Sequence, residues 1–386
     1  MAASLRVGIV HNPYQVRGGE DVYVDLLTET YTRLGWTVER FPKNAENPGI
    51  FGAVLALNPF QDLEREDYDV QGERPDFLHV NHLFPAQGLR PLLWAEKYQV
   101  PVLMTVHNHR FYCSNGVAFR DGQICTLCHD NKAPWRALFK NCNQDPIKST
   151  YYTLALGSLN QSKLLHSAVT RLIAPSPYIS EHLLSLGFKE SQIRQMPHPV
   201  NVVNPGFQES AKYDVIYAGR LSVEKGVEAL LAAIERTPTL RFVIAGHGPL
   251  ESKVRESAAR CNNLTFLPGL SRDELMATIA QSRIGTMASG CNESFGFFAV
   301  ECFMLGKRCV VSHLNSARWL TENGFPGVAA ANASVDGLVS AFHQALELGE
   351  ISSTVSQKLS SYFGMDHFLE NLSRLALEVV QEGKDK

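Results

Sequence analysis

The feature that most constrains this chain is a unit used twice: a short apolar run, a turn, an amphipathic stretch, then another apolar run. In the first forty residues, an apolar run at 7–11 leads through the loop 12–20 into a stretch where Tyr23, Leu26, Leu27, Tyr31 and Leu34 recur every three or four residues. That spacing puts apolar side chains on one face of a helix, which Gly35 is placed to end before the strand expected at 37–41. Strand, helix and strand in this order require a parallel sheet. Further strands are expected at 77–80, 102–106 and 172–174. A second set starts with a strand at 214–218 and a helix near 226–236, and continues with strands at 241–245, 264–267, 283–287 and 309–312.

Two such sets agree with the size of the chain. Its 386 residues, 45% of them hydrophobic, can bury more core than one domain needs. Between the sets, residues 196–206 carry three prolines and a glycine, a sequence suited to a hinge, and the boundary is expected near residue 205. The α/β fold class thus comprises two doubly wound, Rossmann-like domains, 1–205 and 206–365, followed by a helix at 366–381 and a polar tail. Open α/β sheets bind ligands beyond the carboxyl ends of their strands, so the active site is expected in the cleft between the domains.

A net charge of −3 excludes the basic footprint of a nucleic-acid-binding protein. The first strand begins too early for a signal peptide, and no apolar run is long enough to span a bilayer. A cytoplasmic location is expected, with any membrane contact peripheral and the eight cysteines present as thiols or metal ligands.

Four blocks at strand ends carry the chemistry. Arg220 and Lys225 stand five residues apart between a strand and a helix; cations are unfavourable at a helix start unless an anion joins them, so something negative is expected there. Gly246, Gly248 and Pro249 follow the next strand, and residues 267–269 and 273–275 the one after. Glu293 and Glu301 flank Ser294, Phe295 and Gly296, on a segment where Phe297, Val300 and Met304 could face the core. If 294–305 were helical, the two carboxylates would be about 12 Å apart along the axis. That is too far for a glycosidase pair, at roughly 5 to 9.5 Å, but it suits two ends of one elongated ligand.

These blocks, in this order, resemble the family 4 glycosyltransferases of the GT-B fold. The segment Glu293-Ser-Phe-Gly-Phe-Phe-Ala-Val-Glu301 resembles that family's Glu-x-Phe-Gly-x4-Glu signature. The resemblance implies that Glu293 contacts the hydroxyls of the donor sugar and Glu301 the ribose of the nucleotide. Arg220 and Lys225 match the family's Gly-Arg-Leu-x-x-x-Lys-Gly block and would hold the diphosphate. Gly246, Gly248 and Pro249 resemble the turn that approaches the nucleotide. In the first half, Arg17, Gly18, Gly19 and Glu20 open a helix, and the two glycines resemble the loop that closes over phosphate and acceptor. His107 resembles the strand-end histidine near the donor sugar, although Asn108 replaces the family's aspartate.

The function implied is retaining transfer of a sugar from a nucleotide-diphosphate donor to the hydroxyl of a glycan or lipid-linked acceptor, in polysaccharide or glycolipid assembly. No cofactor is needed for that step. A nucleotide-sugar 2-epimerase or a non-catalytic nucleotide-sugar sensor could share the donor-binding blocks, and a phosphorylase shares the fold. Cys113, Cys125, Cys128 and Cys142, spaced Cys-x11-Cys-x2-Cys-x13-Cys, form a candidate structural zinc site, with four unrelated thiols as the alternative. His82, His109, His129 and His198 have no assigned role.

Overall fold

A computed structural model describes residues 4–12, 18–43, 49–58, 60–130, 134–202, 211–332, 334–348 and 351–385. Arg17 and the expected boundary at 205 lie outside them. The chain divides into two compact units: Met1–Gly116 with Thr126–Pro199 and Phe368–Lys386, and Val117–Cys125 with Val200–His367.

In the first unit the strands are β1 (Arg6–Val10), β2 (Thr37–Phe41), β3 (Phe77–Val80) and β4 (Val102–Thr105). The hairpin strands β5 (Phe119–Arg120) and β6 (Gln123–Ile124) come next in the chain but group with the second unit, where Phe119 lies against Gly290. The first sheet is completed by β7 (Val169–Ala174) and β8 (Ile193–Gln195), giving six parallel strands in the order β2-β1-β3-β4-β7-β8. β3 and β4 are buried along their whole length, as parallel strands covered on both faces must be. Trp94 is fully buried, and its indole N–H donates to Glu64 O at 2.8 Å, so no polar cost offsets its large apolar contribution.

The helix Gly19–Arg33 buries Tyr23, Leu27 and Tyr31 and stops before Gly35, whose φ of +76° suits the residue after a helix. The last helix, Met365–Lys384, buries Phe368, Leu372, Leu375, Val379 and Val380 at three- and four-residue spacing. Its Glu378 and Glu382 pair with Arg194 and Arg171 of the first unit. No helix among the described residues is long and apolar enough to cross a membrane.

The second unit holds β9 (Tyr213–Ala218), β10 (Phe242–Ala245), β11 (Leu264–Leu267), β12 (Ser282–Met287), β13 (Arg308–Val311) and β14 (Gly327–Ala329). These six parallel strands run in the order β11-β10-β9-β12-β13-β14. Counted from its own first strand this is 3-2-1-4-5-6, the Rossmann order. Strand order reverses between β9 and β12, and the crevice beyond their carboxyl ends is where such a sheet binds its ligand. In the first sheet the reversal falls between β1 and β3.

Candidate active site

Both strands at the reversal of the second sheet run straight into the blocks singled out above. After β9 the chain turns through Gly219–Ser222, makes a single turn of 3-10 helix at Val223–Lys225, and enters the helix Val227–Arg236 through Gly226. Gly226 has φ +71°, and a Cβ there would stand 2.0 Å from Ala288 O. Gly226→Ala should therefore cost at least about 2 kcal/mol, from backbone strain plus that clash. A urea midpoint unchanged by the substitution would contradict this packing. The carbonyl of Glu224 accepts from Gly290 N (2.9 Å) and Cys291 N (3.2 Å), locking the Lys225 turn to the loop that follows β12.

That loop carries Glu293 to Lys225. Lys225 Nζ lies 2.6 Å from Glu293 Oε1, and Ser289 Oγ donates to the same oxygen. The backbone N–H of Glu293 donates to Ser316 Oγ at 2.9 Å. Burial alone would lower the Lys225 pKa, but the Glu293 carboxylate, helped by Cys291 and Tyr217, reverses the effect and holds the ammonium above its ordinary value. Burial, reinforced by Glu293, pushes the Cys291 thiol up to about 12. The anion expected beside Lys225 is thus supplied within the chain. Arg220 differs: its guanidinium is exposed and, among the described residues, no carboxylate pairs with it.

Residues 294–296 are not helical. Gly296, with φ +93°, caps a shorter helix, Phe297–Met304, so the straight helix behind the 12 Å estimate does not exist. The fully buried face of this helix is Ala299, Val300, Cys302 and Phe303, with Phe297 and Met304 only partly buried; Phe295 is 1% exposed in the same core. Glu301 is buried and paired with Arg272, which also donates to Asn201 O (3.3 Å). Burial raises the Glu301 pKa and Arg272 partly opposes it. Gly246 approaches the Arg220 turn backbone to backbone: with φ +142°, its Cβ would stand 1.9 Å from Gly219 O. Gly248 and the exposed Pro249 complete that loop, and Leu250 N donates to Leu221 O at 2.9 Å. Glu274 is consumed locally, in a capping box with Ser271.

In the first unit, Gly18 caps the helix Gly19–Arg33 and its N–H donates to Asp21 Oδ2 at 2.8 Å, while Gly19 is exposed. His107, buried, shares a hydrogen bond with Asn81 Oδ1 (3.0 Å) and stacks on His198 at 5.0 Å. Asn108 donates to Glu20 Oε1 (2.8 Å) and accepts from Arg110 N (2.9 Å), a pairing that an aspartate facing Glu20 could not make without a proton. A cavity of about 30 Å³ lies among Asn81, His82, Thr105, His107, Asn108 and Arg110.

Burial holds the His107 imidazole well below its ordinary pKa and brings His79, His82 and His198 down to about 3. Their folded values lie below the unfolded value near 6.5, so the unfolded chain binds more protons between about pH 3 and 6.5. Stability is complete above about pH 6.5 and falls below it, by up to about 1.4 kcal/mol per pH unit for each imidazole. Urea midpoints measured between pH 5 and 7.5 should show this slope, and His79→Gln should reduce it by about one proton. An unchanged slope in that variant would contradict a neutral His79.

Several contributors are not marked by any sequence motif. They are Arg272, Ser289, Ser316, Asn81 and His198. Cys113 is buried and its thiol donates to Asn115 Oδ1 at 3.0 Å. Among the described residues no group of three or more His, Cys, Asp or Glu side chains is placed to hold a metal ion, so the structure gives no support to zinc at Cys113, Cys125, Cys128 and Cys142.

Residues 17–203 match the model of Glycosyltransferase Family 4, and residues 205–360 that of Glycosyl transferases group 1. The D-inositol 3-phosphate glycosyltransferase of Mycolicibacterium smegmatis is 24% identical over an alignment 388 positions long, covering 89% of this chain and 79% of the relative. Among solved structures, sucrose-phosphate synthase of Thermosynechococcus elongatus has a TM-score of 0.69 at 16% identity, over 98% of this chain and 100% of that one. Anabaena HepE in complex with UDP and glucose has a TM-score of 0.66 at 14% identity, over 97% and 100%. Two Rossmann-like sheets of six parallel strands, matched by both family models in sequence order, show that the chain belongs to the group 1, family 4 glycosyltransferases of the GT-B fold, retaining enzymes that transfer sugars from nucleotide-sugars.

Proposed function

We propose that the donor is a uridine-diphosphate hexose and that the acceptor is a hydroxyl of a glycan or lipid-linked glycan, on the cytoplasmic side of a membrane. The observation that carries the donor site is the arrangement at the β9/β12 reversal, where exposed Arg220 and the Lys225–Glu293 pair stand together beyond the strand ends. The uridine base is proposed by likeness to HepE, whose structure holds UDP and glucose.

In this reading Arg220 and Lys225 neutralise the departing diphosphate. The bond from the anomeric carbon to the phosphate oxygen breaks, and the bond to the acceptor oxygen forms on the same face. The acceptor proton passes to the leaving phosphate, so no protein nucleophile is needed. Glu293, oriented by Ser289 and Lys225, accepts from sugar hydroxyls, and Glu301, held by Arg272, from the ribose. Gly18, Gly19, Gly246, Gly248, Pro249, Ser294, Phe295 and Gly296 shape the donor contacts through backbone. His107 contributes a neutral imidazole to the transferred sugar.

Hydrolysis of a panel of UDP-, ADP- and GDP-sugars, read as released nucleotide, tests this. One UDP-hexose should be preferred, and Arg220→Ala and Glu293→Ala should both lose that activity. If both hydrolysed the preferred donor as well as wild type, the site assignment would be wrong.

A further inference from the structure

The largest group of exposed apolar side chains along the described chain is not at the donor site. Five of the twelve large hydrophobic side chains that are exposed fall between residues 135 and 154: Trp135 (54%), Leu138, Phe139 (80%), Ile147 (58%) and Leu154. Trp135 caps, and the others sit on, two helices of the first unit that pack on each other, Arg136–Lys140 and Pro146–Ser162. Trp135 and Phe139 meet edge to face at 6.2 Å. On the longer helix Ile147 and Leu154, seven residues apart, lie on one stripe with exposed Thr150 between them. Inward, the same helix buries Tyr151, Ala155 and Leu159, so the outward residues are not core side chains displaced by poor packing.

Charge selects what covers this face. Between residues 134 and 163 there are four basic residues, Arg136, Lys140, Lys148 and Lys163, and one acid, Asp145. The Asp145 carboxylate is already engaged by the amides of Ile147 (2.9 Å) and Lys148 (3.1 Å) at the helix start, and lies 4.0 Å from Lys148 Nζ. The region is locally cationic in a chain whose net charge is −3. A second exposed apolar group, Val54, Leu55 and Phe60, has the opposite setting, followed by Asp62, Glu64, Glu66 and Asp67.

We propose that the face formed by Trp135, Leu138, Phe139, Ile147 and Leu154 docks on an anionic phospholipid bilayer, with Arg136, Lys140 and Lys148 at headgroup level. Trp and Phe beside Lys and Arg are the composition that seats a surface at the boundary between headgroups and acyl chains. A second copy of the chain fits less well, because a two-fold interface would set this basic face against itself. The surface gives a lipid-linked acceptor its physical setting. It rests on the proposed function for that acceptor alone, since bilayer binding is measured without any sugar transfer.

The test is co-sedimentation of the full chain with vesicles of phosphatidylcholine alone and of phosphatidylcholine with phosphatidylglycerol in equal parts. Partition into the anionic vesicles should be about a hundred-fold stronger, since each of the three basic residues at such a surface contributes roughly a factor of five. Trp135→Ala/Phe139→Ala should weaken it about ten-fold or more, and Arg136→Gln/Lys140→Gln about twenty-fold. Both variants should hydrolyse donor in solution as wild type does. The other three tryptophans are buried, so brominated acyl chains should quench Trp135 fluorescence selectively. Equal partition into neutral and anionic vesicles, or undiminished binding by both variants, would overturn the proposal. So would a concentration-dependent dimer that Trp135→Ala/Phe139→Ala dissociates in the absence of vesicle binding. A failed donor assay with vesicle binding intact would count against the donor site only.

Discussion

Arg220→Ala is expected to lower kcat for glycosyl transfer by about 10²- to 10³-fold, the cost of removing one preorganised charge from a site where negative charge develops. The unfolding midpoint should not move. Arg220 is exposed and, among the described residues, pairs with no carboxylate, so its removal leaves no charge stranded and no cavity in the core. A cation at the mouth of a sheet crevice, with no carboxylate partner among the described residues, is available to a ligand. Arg220→Lys should recover part of the rate, because the charge returns but the planar fork that meets two phosphate oxygens does not. The measurement is steady-state transfer with the preferred donor alongside urea unfolding of each variant. A drop in stability that tracks the loss of rate would mean that Arg220 supports the fold, and its assignment to the diphosphate would fail.

Which parts of this molecule are legible in its sequence follows from the range of the interactions involved. The strands at 77–80 and 264–267 are found at their residues because each is a short run of mainly apolar residues, interrupted once, by His79 and by Thr265. The edge strands Ile193–Gln195 and Gly327–Ala329 are missed, since three residues, two of them polar in the first case, carry no periodicity. The start of the helix at Phe297 is displaced from 294 because Ser294, Phe295 and Gly296 have no local signal strong enough to show that the glycine takes a left-handed conformation. Glu293 and Glu301 are visible as a motif, and so is Lys225, whereas the pairings are not. Arg272 reaches Glu301 from 29 residues away, and Lys225 reaches Glu293 from 68. Pairings of that separation are made by sheet order, which brings β9 beside β12, and no local pattern announces them. The apolar face around Trp135 is a different case. Its composition is in the sequence, but only the exposure of its side chains in the fold separates it from a core.

The Lys225–Glu293 pair supplies the second large effect, because each residue both serves the donor and holds the other. Lys225→Ala is expected to lower kcat by about 10²-fold or more and also to destabilise the protein by about 1–3 kcal/mol. The side chains are 29% and 15% exposed, so removing the ammonium leaves a carboxylate in a site that water reaches poorly. Glu293→Gln keeps an oxygen for Ser289 Oγ while deleting the charge, and in its absence burial of Lys225 is no longer offset. The double variant Lys225→Ala/Glu293→Gln has neither stranded charge. Its urea midpoint should therefore recover most of what Lys225→Ala alone loses, whereas its transfer rate should be no better than that of the worse single variant. Stability thus recovers without the rate across one double-mutant cycle, which a purely structural ion pair cannot produce. If the double variant regained rate together with stability, Lys225 would be a brace for Glu293 with no charge of its own to offer the leaving group. Retention of near-wild-type rate in Lys225→Ala would remove it from the diphosphate site altogether.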